Sequence, residues 1–198
     1  MKRRMFVGGF AAGAMMMAGW PTGVWALEAS TAKAHVEATV AEMLAIVQGS
    51  GDAAAKAQSL KGLMTSRAAM PQISRFVAGR AWRDMDSSQQ AAFSEAFLHF
   101  VSTVYARRFQ GYAGETVTVG STSDEGRKGI LVRSKVSQSS GAPISVDWLV
   151  TDRPGRVVIA DIVIEGVSLL LTQRDEVAGM LSAKGGDINA LISDLSGA

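Results

Sequence analysis

Apolar residues recur at steps of three and four through the first half of the chain, and at steps of two through much of the second. The first spacing is that of one helix face, the second that of one side of a strand. Val36, Val40, Met43, Leu44 and Val47 predict a helix over 31–47, ended by Gly49-Ser50-Gly51. Asp52 is placed to cap a second helix, which carries Leu60, Leu63 and Met64 towards Arg67. Pro71 can open a short third one through Ile73, Phe76 and Val77. Gly79 and residues 84–88 break the pattern. Asp86-Ser87-Ser88-Gln89 then reads as a capping box leading a long helix with Phe93, Phe97, Phe100, Val101 and Val104 on one stripe.

After Gly111 the period changes. Residues 116–119, 129–136, 144–150 and 157–165 are short runs rich in Val, Ile and Thr. Asp124-Glu125-Gly126, Ser139-Ser140-Gly141 and Asp152-Arg153-Pro154-Gly155 supply turns between them. No connection is long enough for a helical crossover, so the four strands form an antiparallel meander. Ile144, Val146, Trp148 and Val150 share one side of their strand, and Ser145, Asp147 and Thr151 the other. Helical segments over 174–183 and, capped by Asp187, over 188–195 close the chain. The expected class is α+β: helices, a curved antiparallel sheet of about four strands, then helices again.

The N-terminus changes the picture of where such a fold works. Lys2, Arg3 and Arg4 precede an uncharged run to Trp20, and Val24-Trp25-Ala26 places small residues at the two cleavage-determining positions. Residues 1–26 therefore read as a signal peptide, leaving 27–198 as a single domain with a helical annex in the periplasm and without a transmembrane span. Arg3-Arg4-Met5-Phe6-Val7 also fits the twin-arginine export pattern. Cleavage removes three of the 20 Lys and Arg, leaving 17 against 18 Asp and Glu. A nearly neutral chain without a strong basic run is a poor ligand for nucleic acid. The absence of Cys removes thiol catalysis, Cys-based metal sites and a lipoprotein anchor.

Catalytic chemistry finds little to stand on. His35 and His99 are the only histidines and neither has metal-ligand spacing; His99 follows Glu95 by one helical turn and reads as an ordinary helix pair. Gly166-Val167-Ser168 starts like a nucleophile elbow, but Leu170 stands where the motif needs Gly. Ser168 reads as a helix cap or strand-end residue, and Asp161 and Glu165 as solvated or Arg-paired acids. No Gly-rich phosphate loop precedes a helix. No catalytic residue, metal or cofactor is expected.

From Ile73 onward the chain carries Ala78-Gly79-Arg80-Ala81-Trp82-Arg83, then Ser88-Gln89-Gln90-Ala91-Ala92-Phe93, Glu95-Ala96-Phe97 and Thr103-Val104-Tyr105-Ala106. The most specific run is Asp161-Ile162-Val163-Ile164-Glu165-Gly166-Val167-Ser168-Leu169, with Arg174 five residues on. In this order the segments resemble the MlaC, or toluene-tolerance, family of periplasmic phospholipid carriers. The chain departs from that pattern at Val157 and Ala160, where the family usually has Trp and Tyr, and at Gln173 and Val177, where it has Tyr and Phe.

The resemblance implies a nuclear-transport-factor-two-like sheet packed with helices around an apolar cavity holding a phospholipid as cargo. It also implies partners: an inner-membrane ABC-type lipid transporter complex and an outer-membrane lipoprotein and porin complex, with maintenance of outer-membrane lipid asymmetry as the outcome. Withdrawing two acyl chains into water costs on the order of 20 kcal/mol at ~0.8 kcal/mol per methylene, so a carrier needs an equally apolar interior. Candidate lining residues are Phe76, Trp82, Phe93, Phe97, Phe100, Val101, Val104, Tyr105, Val146, Trp148, Val150, Ile162, Ile164, Val167 and Leu169. By sequence alone the helix stripe and the Val146, Trp148, Val150 strand side can equally pack on each other as a filled core. Arg80, Arg83 and Arg174 are candidates for a phosphate-bearing mouth, with surface salt bridges as the alternative. A carrier of another hydrophobe such as a hopanoid, a periplasmic solute-binding subunit of an ABC transporter and a hydrolase on a similar fold remain as other classes.

Overall fold

A computed structural model describes residues 27–112, 114–138 and 141–197; the expected signal peptide lies outside them. Six α-helices and five strands follow one another as helices, sheet, helices. Helices α2 (Ala53–Arg67) and α4 (Ser87–Arg108) begin where their Asp caps place them, α3 (Met70–Ala78) opens with Pro71 in its first turn, and α1 (Ala29–Gln48) starts two residues before the expected 31 without a side-chain cap. Asp52 Oδ1 accepts the Ala55 N–H at 2.8 Å. Asp86 Oδ1 accepts the Gln89 N–H at 2.8 Å while Gln89 Oε1 accepts the Asp86 N–H at 3.1 Å, a complete capping box. The Ser88 hydroxyl, and then the Gln89 N–H, hold the Asp86 carboxyl below its ordinary pKa.

Strands β1 (Thr116–Asp124), β2 (Ile130–Ser137), β3 (Ile144–Arg153), β4 (Arg156–Ile164) and β5 (Val167–Ser168) form one antiparallel meander in chain order. The expected count of about four gains a two-residue fifth. β1 runs past the expected 116–119 because a bulge between Val119 and Thr122 carries Gly120 and Ser121 through the ladder. A second bulge, at Ala160 of β4, lies opposite the Leu149 to Val150 step of β3. Both bend and twist their strands, which gives the sheet a concave side. β4 and β5 meet in a two-residue turn, Glu165-Gly166, with φ of 49° and 81°. Glu165 is the one described non-glycine with positive φ, and its carboxylate accepts the Ser145 N–H. Gly129 is needed for a different reason: a Cβ there would stand 2.0 Å from the Val150 carbonyl oxygen.

α5 (Leu169–Ala183) starts five residues before the expected 174, directly from β5. Ser168 is both strand end and cap, its Oγ accepting the Leu171 N–H at 3.1 Å. Asp187 caps α6 (Ile188–Ser196) by accepting from Asn189 and Ala190.

Three apolar clusters hold these elements together. Ala32, Val36 and Val40 of α1 pack on Ile130, Val132, Val150 and Ile159 of the sheet. Ala57, Leu60 and Leu63 of α2 pack on Ala106 near the end of α4. The third cluster corrects the sequence reading: Phe93, Phe97 and Phe100 face Val77 of α3, Val177 of α5 and Leu191 and Leu195 of α6. The sheet side of Val146 and Trp148 is covered instead by α1 and α2. Among the described residues no helix is long and apolar enough to cross a membrane.

Candidate ligand-binding cavity

Between the sheet and the α1 and α2 helices that cover it, a cavity of about 330 Å³ remains. Its floor is sheet: Val117, Val136, Ile144, Val146, Trp148, Ile162 and Ile164. The register places these side chains on one face, since Val136 is paired with Ile144 and Val117, Val146 with Ile164, and Trp148 with Ile162. Its roof is Thr39 and Met43 of α1 and Leu60, Leu63 and Met64 of α2; Tyr105, Phe109 and Leu169 close its ends. A smaller chamber of about 120 Å³ lies beyond, between α3, α4, α5 and the bulge of β4, lined by Ile73, Phe97, Val101, Ala160 and Leu170 among others. Met64, Ala68, Tyr105, Ile159, Ile162 and Leu169 line both. Ala160 and Gln173, two positions where the chain departs from the family pattern, both line the smaller chamber.

Several polar groups at these walls are engaged elsewhere, while Gln173 Oε1 is buried at the smaller chamber without a hydrogen-bond partner. Thr39 Oγ1 donates to the His35 carbonyl at 2.7 Å. Trp148 Nε1 donates to Ser134 Oγ at 2.9 Å, and that hydroxyl donates to the Val146 carbonyl at 2.7 Å, with both side chains buried. Arg67 pairs with Glu42, holding that carboxyl below its usual range. Burial raises the Tyr105 pKa; Arg108 opposes this and Glu176 adds to it. The end of α2, which forms the roof, is tied down through its carbonyls. Arg156 Nη2 donates to Thr65 O at 2.9 Å and Ser66 O at 2.6 Å, and His35 Nε2 lies 3.1 Å from Arg67 O. The Ala69 N–H donates to Ile159 O at 2.9 Å, fixing the α2 to α3 junction on β4.

Of the residues expected to line a cavity, Phe97, Val101, Tyr105, Val146, Trp148, Ile162, Ile164 and Leu169 do so. Phe93, Phe100 and Val104 belong to the helical cluster, where Phe93 stacks on Phe97 with ring centroids 6.0 Å apart. Val150 is sealed under α1, and Val167 stands exposed at the hairpin. Phe76 and Trp82 line a separate polar groove, together with Arg80, Arg83 and Arg174. Those three arginines line one groove that shares no residue with either chamber, and among the described residues none of them forms the salt bridges offered as the alternative. Arg67 reaches the wall of the larger chamber and Asp161 that of the smaller one.

The α1 and α2 residues of the roof were visible as apolar helix faces, but nothing in their spacing says that space is left beneath them.

One acid is re-read. Asp161 is half-buried and bound to neighbours other than Arg: its Oδ1 accepts the Ile162 N–H at 2.8 Å and the Leu170 N–H at 3.0 Å, and its Oδ2 accepts from Ser168 Oγ at 2.6 Å. The Ser168 hydroxyl is thus committed to a cap. Glu165 is held by Ser145, and Glu95 pairs with Lys61 of α2 in place of His99. Among the described residues no three metal-binding side chains gather.

The fold is similar to that of a solved phospholipid-binding protein from Ralstonia solanacearum in complex with a phospholipid. The two share 25% identity with a TM-score of 0.68, covering 83% of this chain and 94% of that one. A family model described as MlaC protein matches residues 37–197, which include every wall of the cavity, and the chain belongs to the MlaC family.

Proposed function

We propose that this protein is a periplasmic phospholipid carrier, moving lipid between an outer-membrane lipoprotein and porin complex and an inner-membrane ABC-type complex. The observation that carries the reading is the paired cavity, whose walls are overwhelmingly apolar and whose larger chamber has Thr39 and the Trp148 indole turned to other partners. The phospholipid in the Ralstonia solanacearum relative supports the choice of cargo. At about 330 Å³ the larger chamber stands near the lower end of the ~300–1,000 Å³ usual for ligand sites. Accommodating long acyl chains requires the walls to give. Met43, Met64 and Met70 are suited to that, since an unbranched thioether adapts to irregular space, and Met64 is common to both chambers.

Such a carrier works by partition. A chain passing from one apolar site to another leaves most of the ~0.8 kcal/mol per methylene cancelled, so direction comes from relative affinities or from an ATP-driven partner. Residues 1–26 supply the export signal and are removed after Ala26.

The test is mass spectrometry of the organic extract of protein purified without detergent, with loaded protein then incubated with partner complexes in liposomes. A co-purified diacyl phospholipid returned intact supports the reading. A hopanoid in its place, or release of free fatty acid by the carrier alone, overturns it.

A further inference from the structure

The groove at the far end of α3 gathers Arg75, Arg80, Arg83 and Arg174, with Gln72, Phe76 and Trp82, around a space of about 400 Å³. Among the described residues the ion pairs within 4.0 Å involve Lys33, Lys61, Arg67 and Lys184, and none of these four arginines. Four like charges in one groove repel one another, and among the described residues no carboxylate oxygen lies within 4.0 Å of them. Arg174 is held in place by other means: its guanidinium lies over the Phe76 ring, 4.8 Å from the centroid. It also packs where Gly79, at φ 59°, has no side chain. A planar, fixed guanidinium without an acid partner is a donor awaiting carboxylate or phosphate oxygens.

A second observation indicates which. Two large apolar side chains stand exposed among the described residues, Val167 at 59% and Leu171 at 55%. Leu171 lies one turn before Arg174 on α5, so the two share a face. Val167 is paired with Ile164 and shares its side of the sheet, and Ile164 lines the cavity; Val167 therefore stands at the rim. Basic side chains beside exposed aliphatics and a tryptophan form the surface that lies in the plane of a membrane interface.

We propose that this face docks the protein on an anionic phospholipid bilayer, the four arginines on headgroup phosphates and Val167 and Leu171 in the boundary beneath them. The nearly neutral chain then approaches a membrane by one face only. The proposal stands apart from the cargo reading, and the two are measured separately.

The experiment is flotation of the protein, produced from the full chain and purified without detergent, with vesicles of phosphatidylcholine alone or mixed with phosphatidylglycerol. Co-purified lipid is counted in the same samples. The expected result is binding to the anionic vesicles alone, lost at high salt. Arg75→Gln/Arg80→Gln/Arg83→Gln should weaken it at least about tenfold, and Leu171→Ser by about threefold, with cargo load unchanged in both. Arg174 is left in place because its stacking on Phe76 belongs to the fold. Equal binding to both vesicle types, or anionic binding untouched by the triple substitution, overturns the proposal. So does capture of polyglutamate without capture of vesicles, which assigns the groove to an acidic protein partner. Loss of cargo from the triple variant with vesicle binding intact also overturns it and assigns the groove to the cargo's own headgroup.

Discussion

Trp148 gives its indole N–H to Ser134 Oγ, 2.9 Å away on the neighbouring strand, and both residues are buried on the face that floors the cavity. The Ser134 hydroxyl in turn donates to the Val146 carbonyl at 2.7 Å. The sheet therefore presents the indole ring to the cavity with its polar edge already satisfied. Ser134→Ala should strand the indole N–H in an apolar wall and cost about 1–3 kcal/mol. Trp148→Phe in the same background should recover part of that loss. Denaturant unfolding of the two single variants and the double one measures the coupling; simple additivity would mean that the bond contributes nothing.

Tyr105 stands at the junction of the two chambers, and its pKa is raised above the ordinary 10.0, first by burial. The unfolded chain therefore loses this proton before the folded one. The stability contribution is fully present below about pH 10 and is lost as pH rises through the folded-state value. Melting temperature should fall above about pH 10, and Tyr105→Phe should remove part of that fall while leaving the neutral-pH melt nearly unchanged. An identical alkaline profile in the variant would assign the loss to other groups.

Much of the framework was legible because it is written in local chemistry. Asp52, Asp86 and Asp187 cap the helices whose starts they announce, and period-two alternation marks β3. The cavity was legible only in part. Periodicity shows that the Phe93, Phe97, Phe100 stripe is apolar, but not which of several apolar surfaces meets it. In the folded chain α5 and α6 return to that stripe, and α1 and α2 take the sheet. Whether two apolar faces touch or stand apart depends on long-range packing, such as Arg156 gripping the end of α2. Spacing in sequence carries no record of that. The family resemblance named the fold and its cargo class; it did not separate the lining residues Val146 and Trp148 from the sealed Val150.

Asp161 binds three donors, from Ile162, Leu170 and Ser168, and so ties β4 to the first turn of α5 beside the cavity. Asp161→Ala leaves the Leu170 N–H and the Ser168 hydroxyl without this acceptor and should cost about 3 kcal/mol, with lipid load falling as Leu169 loses its anchorage. Ser168→Ala should cost about 1–2 kcal/mol, the usual value of a cap. Both effects are read by thermal melting alongside extraction of bound lipid. If Ser168→Ala changed the chemical fate of the lipid, its assignment as a cap would fail.

Val146 and Val150 point to the same side of β3, four residues apart, and their surroundings predict opposite outcomes for one substitution. Val146 borders the open space of the larger chamber; Val150 is completely buried under α1, against Ile130 and Val36. A tryptophan at 146 has room to project into the cavity, so Val146→Trp should keep the fold, with a melting temperature near that of the parent, and lose most of the co-purified lipid. The same residue at 150 must displace packed atoms. Overpacking a filled site costs typically ~1–3 kcal/mol, and the large added volume puts Val150→Trp at or above the top of that range. Any lipid it loses should follow the loss of folded protein. Val101→Trp extends the comparison to the smaller chamber, whose about 120 Å³ leaves less room, so both stability and load should fall there. Melting and lipid extraction on the same preparations separate the three cases. Full lipid load in a stable Val146→Trp protein would show that the chamber above Val146 does not hold the acyl chains.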